Sequence, residues 1–236
     1  RHQRVRHAGE QLVLTRREDF LTTTQARGQV NDVEAAVAAD GTVLALRCRT
    51  LADLGAYLEV LTLYPGMLTG LLLTGPYRIP AARYELTSVF TNAMATAPYR
   101  GAGRPEATYL LERTMDAIAR ALGLDPTEVR RRNLIPPDAF PYHAPSGLVY
   151  DSGRYEAALD RVLELADYKR FRDLQSRERE AGRYVGIGFS SFMETAGVGP
   201  SKTAPLPGWE LGTVRIEPSG KVTVLTGTSP HGQGLE

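Results

Sequence analysis

The stretch YRGAGRPEATYLLERTMDAIARALG, residues 99–123, decides how this chain is read. It opens on a glycine-paired loop, Gly101-Ala102-Gly103, flanked by Arg100 and Arg104, and passes into a helix that Pro105 starts at its first position. Ala107, Leu110, Leu111, Met115, Ile118 and Leu122 recur at helical spacing and form one apolar stripe, and Gly123 supplies the C-terminal cap. The loop brings backbone N–H groups, a helix N-terminus and guanidinium groups toward one point, a donor set that suits an anionic ligand. Taken alone, the glycines would serve equally well just to turn the chain into the helix. A nicotinamide-binding Rossmann loop is disfavoured, because Glu106 replaces the third glycine of that fingerprint and Pro98 argues against a preceding central strand.

Upstream, Val33, Ala35 and Val37 alternate before Asp40-Gly41, and Val43 to Leu46 resumes after it, which predicts a hairpin on an Asp-Gly turn. Downstream, Thr213 to Glu217 and Lys221 to Leu225 flank Pro218-Ser219-Gly220 and predict a second, similar hairpin, followed by another glycine cluster, Gly232-Gln233-Gly234. Asp125-Pro126-Thr127-Glu128 reads as a helix start, with Asp125 capping and Glu128 reaching back; the Arg130-Arg131-Arg132 run on that helix reads as a solvated face, with a partner-docking patch as the alternative. Pro136, Pro137, Pro141, Pro145 and Gly147 make 136–147 the expected linker. Ser152 is the expected cap of a further helix that buries Tyr155, Leu159, Val162 and Ala166, whereas Arg170 to Glu180 is too charged to be a buried helix. Mixed helices and strands give an α/β or α+β protein. The expected arrangement is two lobes joined near Pro136 to Gly147, each offering a glycine loop to one cleft.

Composition narrows the function. The 236 residues are 42% hydrophobic, enough for a sizeable core, and the net charge of +1 is spread among interleaved acids and bases, so nothing points to nucleic acid or an anionic membrane. Cys48 is the only cysteine, which leaves no disulfide framework, no cysteine-rich zinc site and no means of ligating an iron–sulfur cluster. The richest apolar run, around Met67 to Leu73, is far too short to span a bilayer. With neither an initiator methionine nor a signal peptide, the sequence reads as an internal piece of a longer protein.

An ordered series of motifs adds to this. Phe90-Thr91-Asn92, the run Ala97 to Ala107, Glu112-Arg113, Leu124 to Asn133, Phe140-Pro141-Tyr142, Tyr150 to Gly153, Gly186 to Phe189, Glu194, Gly227-Thr228 and His231 to Gly234 together resemble the molybdenum-binding large subunit of the xanthine oxidase, aldehyde oxidase and carbon monoxide dehydrogenase family. The resemblance covers essentially the whole chain. It implies residues 1–140 as the C-terminal part of a first molybdenum-cofactor-binding domain and 141–236 as the N-terminal part of a second. It implies a molybdopterin-type cofactor, in the cytosine dinucleotide form, contacted by Arg100, Gly101, His231, Gly232, Gln233 and Gly234, with Tyr99, Ala102, Leu68 and Phe189 at the substrate pocket. The metal is held by the cofactor's own sulfurs, so protein metal ligands are not expected here.

The same resemblance implies a cytoplasmic oxidoreductase that hydroxylates a small molecule at an electron-poor carbon. Electrons then leave through [2Fe-2S] clusters and FAD on partner subunits or domains, in a dimer of heterotrimers. No catalytic residue is expected within the chain: the general-base glutamate lies beyond Glu236 in such subunits, and a Phe-Gly motif lies before Arg1. Glu106 is expected to stabilise the first helical turn and Glu194 to be structural, while His143 reads as a surface residue. Departures from the pattern restrict the substrate. Copper-containing carbon monoxide dehydrogenases place a cysteine directly after the loop arginine, where this chain has Gly101; xanthine-oxidising members place a phenylalanine and an upstream arginine where it has Ala102 and Leu68. A roomier, less polar pocket for aldehydes or N-heteroaromatics follows. The other reading is a non-catalytic scaffold piece that keeps the fold and binds no cofactor alone.

Overall fold

A computed structural model describes residues 3–7, 10–194 and 211–227, with side chains described for 13–194 and 211–227. The chain forms two compact units, Arg1–Met193 and Glu194–Glu236. In the first, β1 (Gln3–His7) and β2 (Glu10–Leu14) pair antiparallel and precede α1 (Arg16–Thr22). β3 (Gln29–Val37) and β4 (Val43–Asp53) form the predicted hairpin. Next, α2 (Tyr64–Leu71) crosses over to β5 (Ala81–Val89), which pairs parallel to β4, so the sheet order is β3-β4-β5 with β4 central. Then come α3 (Arg104–Leu122), α4 (Pro126–Asn133), a 3-10 turn at Pro137–Ala139, a two-residue ladder β6 (Tyr142–His143) with β7 (Val149–Tyr150), α5 (Tyr155–Leu165) and α6 (Tyr168–Glu180). The second unit contains the antiparallel pair β8 (Gly212–Ile216) and β9 (Val222–Thr226). The fold is of mixed α/β type, as the sequence predicted.

The core lies where α3 meets the sheet. Val43 and Leu46 of β4 cluster with Leu111, Met115, Ile118 and Ala119 of α3, and with Tyr77, Ile79, Val129, Leu134 and Leu159. Five of the six predicted stripe residues are buried, while Leu122, on the last turn, stays partly exposed. A fully buried side chain such as Met115 removes enough apolar area to contribute about 1.5–3 kcal/mol. Cys48, Thr50 and Ala52 continue the buried face of β4, which sits between two neighbours.

The two hairpins close alike. The Ala38 amide donates to the Thr42 carbonyl and the Gly41 amide to the Ala38 carbonyl, both at 2.9 Å; Glu217 and Gly220 repeat the pattern with Lys221 and Glu217 at 2.9 and 2.8 Å. Gly41 and Gly220 have φ of 91° and 82°. Each is therefore a longer turn ending in a left-handed glycine rather than a two-residue Asp-Gly turn.

Several expectations need correction. Arg130-Arg131-Arg132 is not a solvated face: Arg130 is fully buried, Arg131 bridges to Glu156 and Asp160 of α5 at 2.9 and 2.6 Å, and Arg132 reaches Asp40 at 2.9 Å. Asp125 does cap α4, accepting from the Thr127 amide at 2.8 Å, but Glu128 pairs with Arg131 at 3.6 Å. Ser152 does not cap α5, which begins at Tyr155 after Arg154 with no side-chain cap, and Val162 is half exposed. The segment 136–147 is no free linker, since Ala144 is buried and β6 pairs with β7 within it and just beyond. α6 does bury none of its residues, in line with its charge.

Candidate functional site

The loop from Tyr99 to Gly103 is built from local turns. The Ala102 amide donates to the Tyr99 carbonyl at 2.7 Å and the Arg104 amide to the Gly101 carbonyl at 3.0 Å. Gly101, Ala102 and Gly103 have φ of 98°, 40° and 91°, three left-handed residues in succession. Such a conformation at an alanine costs roughly 1–3 kcal/mol and persists only where the surroundings over-determine it.

Those surroundings are α2 and the segment before β3. A Cβ on Gly103 would stand 2.4 Å from the Pro65 carbonyl oxygen and 2.7 Å from Leu68 Cβ, so the loop backbone lies directly on α2. The Thr69 hydroxyl donates to the Pro65 carbonyl at 2.9 Å and receives the Gln29 amide at 3.2 Å. From the other side Arg27 reaches Glu106 Oε2 with Nη1 at 3.0 Å and the Arg100 carbonyl with Nη2 at 2.9 Å, its guanidinium 5.4 Å from the Tyr99 ring centre. Tyr99, Arg100, Gly101, Ala102 and Leu68 are thus brought together. Tyr99 and the Arg100 side chain remain exposed at this corner. Glu106 sits in the first turn of α3, as expected, but its nearly buried carboxylate also finds a partner 79 positions away, in Arg27.

Phe189 is placed elsewhere. Its ring packs edge-on against Tyr168 at 5.2 Å and 5.8 Å from the Arg130 guanidinium, and it lines a cleft of about 490 Å³ with Leu134, Tyr155, Leu159 and Ile187. His143 is exposed on β6. His231, Gly232, Gln233 and Gly234 lie outside the described residues. Among the described residues no group of three or more His, Cys, Asp or Glu side chains is placed to hold a metal ion, and no helix is long and apolar enough to cross a membrane.

Behind the loop, α3 and α4 are joined by a buried polar network that the sequence reading missed. Arg130 donates to Glu112 Oε2 and Asp116 Oδ1, both at 2.9 Å, and to the Pro126 carbonyl at 3.0 Å; Tyr77 donates to Glu112 Oε1 at 2.6 Å. Burial works against the Arg130 charge more than any single neighbour supports it, but Glu112, Tyr77 and Asp116 together hold the guanidinium above its ordinary range. Burial, then the Glu112 charge, push the Tyr77 hydroxyl strongly upward. Asn133 completes the joint, receiving the Val43 amide at 2.8 Å and donating to the Gly41 carbonyl at 2.9 Å. The available signal was Glu112 and Asp116, one turn apart, beside the apolar stripe of α3. For Arg27 the sequence offers no local signal.

Chemically, the corner offers the exposed Arg100 guanidinium beside the exposed Tyr99 ring, together with the loop amides of Gly101 and Gly103, those of Ala102 and Arg104 being taken up in the loop's own turns. That donor set fits a ligand rich in acceptors and negative charge, such as a phosphorylated heterocycle, and offers no thiolate or imidazole to a metal.

Two family models, both described as "Molybdopterin cofactor-binding domain", match residues 10–134 and 161–236. The carbon monoxide dehydrogenase large chain of Afipia carboxidovorans is 36% identical over 94% of this chain and 29% of its own length. The nicotine 6-hydroxylase large subunit of Paenarthrobacter nicotinovorans is 32% identical over 93% of this chain and 28% of its own. The crystal structure of quinoline 2-oxidoreductase from Pseudomonas putida 86 superposes with a TM-score of 0.87 at 35% identity, covering 95% of this chain and 29% of that one. The chain therefore spans less than a third of the length of these relatives.

Proposed function

Because this chain belongs to the molybdopterin cofactor-binding domain family, we propose that it is the central part of the catalytic large subunit of a molybdenum hydroxylase acting on aldehydes or N-heteroaromatics. The observation that carries the reading is the left-handed loop Gly101-Ala102-Gly103 packed on α2, which leaves Arg100 exposed beside Tyr99. Arg100 and Gly101 are assigned to hold the cofactor, and His231, Gly232, Gln233 and Gly234 are assigned to it from the sequence resemblance alone. Bound there, a molybdenum pterin supplies two-electron oxidation of a carbon centre. Tyr99, Ala102 and Leu68 shape the substrate pocket; Phe189 lies in a separate cleft beside Tyr168 and is not assigned to it. The cofactor carries cytosine dinucleotide, and [2Fe-2S] and FAD reside on partner subunits or domains of a cytoplasmic dimer of heterotrimers. A boundary between two cofactor-binding domains at 140/141 accompanies this assignment, falling in the interval between the two family matches.

Relatives named as a nicotine 6-hydroxylase and a quinoline 2-oxidoreductase support the N-heteroaromatic side of this reading. Against carbon monoxide stands Gly101, where a thiolate would be needed to bridge copper. Against xanthine stand Ala102 and Leu68, which would leave the oxygens of a purine unpaired, whereas an apolar ring gains roughly 25 cal/mol for each Å² buried. The test is kcat/KM of the full-length enzyme for carbon monoxide, xanthine, an aromatic aldehyde and an N-heteroaromatic on one preparation, with its copper content. Molybdenum without stoichiometric copper, and preference for the aldehyde or heterocycle, are expected. Preference for carbon monoxide with bound copper would overturn the substrate assignment, and a full-length protein devoid of molybdenum and pterin would favour the scaffold reading.

A further inference from the structure

We propose that Arg27 is the positioning residue of this site: it holds Arg100 in its working direction by fixing the Tyr99–Gly103 loop at two points and the first turn of α3 at a third. One guanidinium fork binds the Arg100 carbonyl and the Glu106 carboxylate, at 2.9 and 3.0 Å, while its face lies 5.4 Å from the Tyr99 ring centre. The inference rests on the reading of that loop as facing the cofactor.

Two observations carry it beyond an ordinary ion pair. Among the described residues only three non-glycine residues have positive φ, Arg27 at 71°, Ala102 at 40° and Asp167 at 43°, and the first two lie in the two segments that this contact joins. Strain at both sides of a contact marks a geometry that the surroundings impose. The backbone frame is also shared. The Ala97 amide donates to the Gln25 carbonyl at 2.9 Å, the Gln25 amide to the Ala95 carbonyl at 3.0 Å, and the Asp53 amide to the Gly28 carbonyl at 2.8 Å. The segment carrying Arg27 is thus tied to the segment that enters the loop and to the end of the central strand. A guanidinium satisfies two acceptors and a ring face at once; an ammonium, a single flexible point charge, does not. Glu106 Oε1 is buried without a hydrogen bond, and Arg27 is the one ion-pair partner of this carboxylate among the described residues.

The test uses the full-length holoenzyme with Arg27→Ala and Arg27→Lys, and Arg100→Ala beside them. Read out are kcat per bound molybdenum, the electron paramagnetic resonance signal of the partly reduced molybdenum centre, and the midpoint of thermal unfolding. A loop displaced by about 1 Å lowers kcat per molybdenum tenfold to a hundredfold, and it alters the resonance signal; Arg27→Lys falls nearer to Arg27→Ala than to wild type. A merely structural arginine lowers the unfolding midpoint and leaves both kcat per molybdenum and the signal unchanged, which would overturn the proposal. Should Arg27→Ala fail to accumulate, Arg27→Lys decides by the same two readings. If Arg100→Ala is impaired and the Arg27 variants are not, this inference alone fails. If Arg100→Ala itself keeps full turnover and signal, the cofactor-facing reading of the loop fails first.

Discussion

Arg130→Ala is expected to destabilise the protein by about 3–5 kcal/mol, the cost of breaking a buried ion pair from one side. The reason lies in what the substitution leaves behind. Glu112 is 4% exposed, and without Arg130 its carboxylate keeps one neutral donor, the Tyr77 hydroxyl at 2.6 Å. Asp116 Oδ1 and the carbonyls of Glu112 and Pro126 each lose a donor as well, with Arg113 still holding Asp116 Oδ2 at 2.9 Å. Part of the loss should return when the orphaned charge is removed: Arg130→Met with Glu112→Gln is expected to be more stable than Arg130→Met alone, because the pair contributes less than the unpaired charge costs. Urea unfolding of the three proteins measures this. Equal stability of Arg130→Ala and wild type would show that the network does not bind α4 to α3.

The second large effect is expected at Gly103. Its φ of 91° is unfavourable for any residue with a Cβ, and the added carbon would stand 2.4 Å from the Pro65 carbonyl oxygen and 2.9 Å from the Thr69 nitrogen. These neighbours are backbone of α2, which cannot swing aside as a long side chain does. Gly103→Ala must therefore push α2 away from the start of α3, at an expected cost of about 3 kcal/mol or more. Gly123→Ala is the control. Its φ of 67° is also left-handed, yet no atom lies within 4 Å of the added carbon, so only the backbone penalty of about 1 kcal/mol remains. Thermal unfolding of both variants compares them; a loss at Gly123 equal to that at Gly103 would remove the argument from close packing.

These two residues also show what could be read in the sequence and what could not. The α3 helix and both hairpins were legible because their signals are local: a 3.6-residue apolar period, a proline at the start, and glycines at the turns. The Arg130 run was misread because nothing local distinguishes an arginine that faces water from one that faces Glu112, 18 positions earlier. Ser152 was taken as a cap because its residue type suits the role, whereas the chain turns into α5 only at Tyr155. β5 and its parallel pairing with β4 were not anticipated, since the crossover through α2 fixes a register that no single segment encodes. For the candidate site, the glycine loop and Arg100 stood out by composition. Arg27 did not, because its importance arises from a contact with the Arg100 carbonyl across 73 positions of sequence.

The central claim is that the Tyr99–Gly103 corner faces the molybdenum cofactor. It is tested most directly by an experimental structure of the full-length protein with its cofactor bound. Atoms of the cofactor are expected within hydrogen-bond reach, about 3 Å, of the Arg100 guanidinium or the Gly101 amide. A cofactor seated elsewhere, with Arg100 and Gly101 open to bulk solvent, would contradict it.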